Sequence, residues 1–237
     1  MKTWIFAGIT DKRELLIYLS KILCSSGVRV LLVDGTGDAR YKYSIHSGSS
    51  SKIPITEYSG FDVATNFQSE QELYSYYRMN SQADPFLYDY ILYDVECTDF
   101  LSVQTWQKAD QRVWVTSHER YPLEHGKQFF SLLLDRYPEL GGMVAKRIYM
   151  HCVDNRMNDE YVKAFATSLP ISWDEEAVSF LWEEGNIAIR REEDYEGNVG
   201  LHRISRSYKR ALRNLVGQLT DWNEGSAKKA IRIAGRR

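Results

Sequence analysis

The chain has 237 residues and a formal net charge of −2, with 30 Lys+Arg against 32 Asp+Glu. A 43% hydrophobic and 13% aromatic content supplies a real core and excludes a disordered chain, and the length predicts one large domain or two small ones. A mean hydropathy of −0.43, with no apolar run approaching about 18 residues, excludes a spanning helix.

In chain order, Trp4-Ile5-Phe6-Ala7 predicts a first strand, and the polar TDKRE that follows it is not the pattern of a secretory signal. Leu15, Leu16, Leu19, Ile22 and Leu23 form one apolar stripe, which predicts a helix over about Glu14–Cys24 stopped by Ser25-Ser26-Gly27. Val28–Val33 is the near-continuous apolar run of a strand covered on both faces, closed by Asp34 and the turn Gly35-Thr36-Gly37-Asp38. His46–Lys52 is a Ser-rich loop, Ile53 to Ala64 reads as a hairpin, and Glu70–Met79 as a helix ended by Ala83-Asp84-Pro85. Tyr90–Tyr93 ends in Asp94 as a further strand. Arg112–Thr116 and Gly142–Tyr149 are strands with a helix over about Leu123–Arg136 between them. Leu169–Trp173 is a short strand, after which Asp174 is expected to cap a helix over Glu175–Glu183. Glu192-Glu193-Asp194 reads as a solvated turn. Ile204, Tyr208, Ala211, Leu212, Leu215 and Leu219 predict a last helix over about His202–Thr220. Strands and helices alternate as in βαβ units, so the expected fold is a single α/β domain over residues 1–222. It has a mainly parallel sheet with helices on both faces, and residues 223–237 follow as a basic C-terminal tail.

Chemistry in such a sheet belongs beyond the carboxyl ends of the strands. The loop after the first strand, Gly8-Ile9-Thr10-Asp11-Lys12-Arg13-Glu14, offers Lys12 but lacks glycines to wrap phosphate and a Ser/Thr after the lysine for magnesium. Asp11 would repel phosphate. Ser117-His118-Glu119 is contiguous sequence and not a triad. His118 and His125, and the odd set Cys24, Cys97 and Cys152, have no metal-ligand spacing, and the cysteines read as reduced thiols of a cytoplasmic protein.

The order of strand, loop and helix ending in Ser-Ser-Gly, followed by Val28-Arg29-Val30-Leu31-Leu32-Val33-Asp34, resembles the MinD/ParA family of P-loop ATPases (the SIMIBI class). Tyr88–Asp94 looks like its Walker B strand, Ala109–Thr116 its later "A-D-x-V-x-x-V-T" strand, and Trp173–Val178 with Glu184-Gly185 its late "P-x-D-E-x-V" segment. The resemblance runs over roughly residues 3–220. It implies a Rossmann-like P-loop fold with a vestigial nucleotide site at Gly8, Lys12, Asp34 and Asp94, Lys12 standing in the place of the P-loop lysine. Several family residues are replaced. Ala7 stands where the family's signature lysine reaches across its dimer, Arg13 where Thr binds metal, Thr36 where a second acid follows Asp34, and Lys146 where Asn reads the base. These replacements imply a degenerate Walker A, no catalytic residues, no metal, and ATP/Mg binding that is weak or absent. The family branch with degraded P-loops, the TadZ/CpaE-like pilus-assembly localisation proteins, implies a non-hydrolysing scaffold. Such a scaffold would bind protein partners of a membrane-associated pilus or secretion apparatus, either as a homodimer or alone, in the cytoplasm or peripherally at the membrane. The alternatives are a weak ParA-type ATPase in DNA partition and a regulator of polysaccharide synthesis or membrane export.

Charge is concentrated late in the chain. Arg203, Arg206, Lys209, Arg210 and Arg213 lie opposite the apolar stripe of the last predicted helix, and Lys228, Lys229, Arg232, Arg236 and Arg237 follow in the tail. This basic contact face suits DNA phosphates, an anionic membrane surface or an acidic protein, and equally reads as a solvated helix face with a frayed tail. Ile231 and Ile233 give the tail too little apolar area for firm membrane insertion.

Overall fold

A computed structural model of the chain describes residues 1–45, 54–79, 87–153 and 159–236. The strands are β1 (Lys2–Ala7), β2 (Val30–Gly35), β3 (Ile55–Tyr58), β4 (Phe61–Ala64), β5 (Tyr90–Val95), β6 (Gln111–Thr116), β7 (Val144–Cys152), β8 (Ser172–Trp173) and β9 (Val178–Leu181). The helices are α1 (Arg13–Cys24), α2 (Tyr41–Ser44), α3 (Glu70–Met79), α4 (Val103–Lys108), α5 (Arg120–Arg136), α6 (Asp159–Ala166), α7 (Glu184–Glu196), α8 (Arg206–Leu219) and α9 (Glu224–Ala234). Strand order is β3-β4-β2-β5-β1-β6-β7-β8, with β9 also on β7, and every pairing is parallel except the β3–β4 hairpin.

The unbroken apolar runs follow from this covering. Successive strand residues face opposite sides, so Trp4 and Phe6, Val30 and Leu32, and Tyr90 and Leu92 enter one core with α1, α8 and α9. Ile5 and Ala7, Leu31 and Val33, and Ile91 and Tyr93 enter a second core with α3, α4, α5 and α6. No helix among the described residues is long and apolar enough to cross a membrane.

Four expectations are corrected. Glu175–Glu183 is not a helix: Val178 and Phe180 are buried while Ser179 and Leu181 are exposed, the period of a strand, and β9 pairs with β7. Asp174 caps nothing there; its carboxylate pairs with Lys146 and its N–H donates to the Ala145 carbonyl at 2.9 Å. Glu192-Glu193-Asp194 is not a solvated turn but part of α7. There Glu193 is buried, accepting from the Tyr18 hydroxyl at 2.8 Å and the Gly200 N–H at 2.6 Å. The last predicted helix begins at Arg206 and not His202, because Ser205 caps it by accepting from the Tyr208 N–H. Beyond it, the basic segment forms α9, capped by Asn223. Ala227, Ala230, Ile231 and Ala234 sit at helical spacing in the α1–α8 core. The Ser-rich loop His46–Lys52 and the break at Ala83-Asp84-Pro85 lie outside the described residues.

Candidate functional site

The carboxyl ends of β1, β2 and β5 lie side by side, with Asp34 in register with Asp94 and Asp94 with Phe6. This is the edge where open parallel sheets hold ligands. The loop leaving β1 crosses it. Gly8 has φ +127°, and a Cβ there would overlap the Val115 carbonyl oxygen, so only glycine lets the loop approach β6 so closely.

Lys12 points inward from the start of α1. Its side chain is fully buried, and Nζ lies 2.8 Å from Asp94 Oδ1. The same ammonium donates to the Gly8 carbonyl and, at 3.4 Å, to the Thr10 carbonyl. The ammonium is therefore engaged by two carbonyls of its own loop and by the Asp94 carboxylate on β5. The second Asp94 oxygen accepts from the Tyr41 hydroxyl at 2.8 Å. Burial, reinforced by Asp94 and Asp34, pushes that phenol's pKa well up and keeps it a donor. Asp34 accepts from the Thr36 N–H at 3.1 Å, the Thr36 hydroxyl at 2.6 Å and the Tyr41 N–H at 3.0 Å. Burial nonetheless raises the Asp34 carboxyl above the usual range. The fold thus gathers Gly8, Lys12 and Asp94 into one ion-paired cluster and links Asp34 to it through Tyr41. Nothing in the sequence marks Tyr41 as the bridge.

The replaced positions are closed in the same way. Arg13 turns onto Asp11 at 2.5 Å. Burial alone would raise the Asp11 carboxyl, but the Arg13 guanidinium overrides it and holds the pKa at about 2. Ala7 is buried at the end of β1, and Thr36 is occupied by Asp34. Lys146 pairs with Asp174, and Arg147, also buried, donates to the Asp174 carbonyl at 2.8 Å. Among the described residues no group of three or more His, Cys, Asp or Glu side chains is placed to hold a metal ion.

A second feature lies on the far side of α1. α8 and α9 form an antiparallel pair, Gly235 returning beside His202. Between them runs a cleft of about 740 Å³ floored by Leu201 and Ile231. Arg206, Lys209, Arg210 and Arg213 of α8 line one wall. Lys228 and Arg232 of α9, with Arg236 just beyond it, line the other. Arg203 is not on this face. It precedes α8 and pairs with Glu192 of α7. The α9 side of the cleft was legible as cations recurring every four residues, but only with the segment helical do they face those of α8.

No protein-family model matches the sequence, and a search of curated proteins found no match. Solved structures do match in fold. The MinD cell division protein of Aquifex aeolicus superposes with a TM-score of 0.57 at 12% identity, covering 99% of this chain and 95% of that one. A ParA family ATPase from Chlorobium tepidum TLS gives 0.55 at 12% identity, covering 98% of each chain. A plasmid partition protein of Borrelia burgdorferi B31, bound to AMPPNP, gives 0.54 at 14%, covering 98% of this chain and 97% of that one. The chain has the MinD/ParA-type P-loop fold. Within it, the loop leaving β1 runs along the edge of the sheet to which β2 and β5 carry Asp34 and Asp94.

Proposed function

We propose that this chain is a MinD/ParA-like scaffold that does not hydrolyse nucleotide and that places or assembles a membrane-associated machine of the pilus or secretion type by binding its protein partners. The observation that supports this most is the buried Lys12–Asp94 pair. A phosphate-binding lysine must present its ammonium to the ligand, and a Walker B aspartate must be free to act through the magnesium shell. Here each is the other's partner, and two loop carbonyls and Tyr41 complete the set. The residues present do not fit a magnesium nucleotide. Arg13 occupies the metal-hydroxyl position and faces Asp11, a carboxylate held ionised where phosphate oxygens would lie. The plasmid partition protein with a similar fold is described with AMPPNP bound. A weak partition ATPase is the competing reading, and the basic α8–α9 face favours it to the extent that it meets DNA.

Calorimetric titration with ATP and Mg²⁺, paired with a turnover assay, tests the proposal. The expected result is no measurable turnover and no saturable heat of binding at the β1 loop. Low-micromolar affinity with turnover, both abolished by Lys12→Ala, would overturn it.

A further inference from the structure

The cleft between α8 and α9 is too ordered in its charge to be only a solvated face. On the α8 wall Arg206 to Arg213 spans two turns, about 10 Å, and the α9 side runs antiparallel to it over about 12 Å. The trough continues into a second recess of about 580 Å³ that shares Arg210 and Arg213. Arg206, Arg210, Lys228, Arg232 and Arg236 have no acidic partner among the described residues. Lys209 donates only to the His202 carbonyl, at 2.9 Å, and Arg213 reaches an exposed Glu224 at 3.7 Å. Burial, with Arg206 beside it, lowers the Lys209 pKa, a sign of cations crowded without a counter-charge. Of the 30 basic side chains seven line this cleft, which leaves 23 against 32 acidic ones elsewhere.

That distribution selects the ligand. Outside the cleft the side chains carry a net negative charge, which disfavours a broad anionic surface such as duplex DNA or a membrane. A narrow chain lying in the trough stays within a Debye length, about 8 Å, of the cations alone. Single-stranded nucleic acid gains much of its affinity by stacking bases on aromatic rings, and no Phe, Tyr or Trp lines the cleft, His202 being the one ring there. Instead the floor is aliphatic, Leu201 and Ile231 extended by the methylene stems of the cations. Guanidinium forks along both walls match carboxylates two at a time.

We propose that the α8–α9 trough is the docking site for an extended acidic peptide segment of a partner protein, its carboxylates on the two cationic walls and its aliphatic side chains over Leu201 and Ile231. This rests on reading the chain as a partner-binding scaffold and names the chemistry of the partner.

The test is fluorescence anisotropy on the full chain, without nucleotide, using a labelled peptide of three Glu-Glu-Glu-Leu repeats. An all-Glu peptide of equal charge, a short duplex DNA and phosphatidylglycerol vesicles are measured at the same salt. The expected result is saturable binding of the Leu-bearing peptide, tighter than the all-Glu one and weakening with salt. Arg210→Glu with Arg232→Glu should weaken it at least about tenfold, and the matching Arg→Lys pair should retain most of it, with melting temperatures unchanged. Any one of three results would overturn the proposal: no binding of either peptide, binding that the double charge reversal leaves intact, or tighter binding of DNA or vesicles than of peptide. Because nucleotide is absent throughout, ATP turnover found separately would remove the scaffold reading without altering the peptide result.

Discussion

Lys12 and Asp94 are each withdrawn from water, at a cost of several kcal/mol per ion that their attraction offsets only when the remaining hydrogen bonds are complete. The Gly8 and Thr10 carbonyls serve Lys12, and the Tyr41 hydroxyl serves the second Asp94 oxygen. Glu14, two residues on, is less well served. Its Oε1 is buried with no hydrogen-bond partner among the described residues, and burial, opposed by Arg190, pushes the carboxyl's pKa up to about 7. A carboxyl raised in the folded state favours folding fully below its unfolded value near 4.5, and that contribution is lost as pH rises through about 7. Glu14→Gln keeps the shape of the protonated acid, so it should match the wild type near pH 4.5 and exceed its stability by about 3 kcal/mol above pH 8. Urea unfolding across that range reads the difference; equal stabilities at pH 8 would contradict it. Asp34 and Asp94 were legible in the sequence as acids closing strands, and Lys12 only through the family resemblance. Tyr41 was not, since its role depends on where α2 folds back over the sheet edge.

At the scale of elements, the sequence was most readable where both faces of a strand are covered. β1, β2, β5 and β6 were predicted within two residues of their bounds, and α3 at its bounds. The error lay at β9, where Asp174, Glu175 and Glu176 imitate the first turn of a helix. Only four residues long, β9 offers a two-residue period too short to outweigh that signal. The basic segment after α8 failed for the opposite reason. Taken alone, Ala227, Ala230, Ile231 and Ala234 are a weak stripe, and α9 is held by the core beneath it. Once it packs there, its cations are aimed at those of α8, so a charge pattern that read as a tail becomes one wall of a cleft.

For the whole molecule, the proposed scaffold reading bears on assembly. With Ala7 buried at the end of β1, no side chain at that position reaches a nucleotide shared between two copies. Light scattering should therefore give one mass with and without Mg·ATP, whatever that mass is. A monomer that dimerises only on adding ATP would contradict this. The central claim, that Lys12 serves the fold itself, is tested most directly by denaturant unfolding of the wild type and Lys12→Ala, each with and without Mg·ATP. Removing Lys12 strands Asp94 in the interior, so the account predicts a loss of about 3–5 kcal/mol and no stabilisation of either protein by nucleotide. A phosphate-binding lysine predicts the reverse. The wild type would gain stability with ATP as RT ln(1 + [L]/Kd), and Lys12→Ala would lose that gain while keeping nearly all of its stability in the absence of nucleotide.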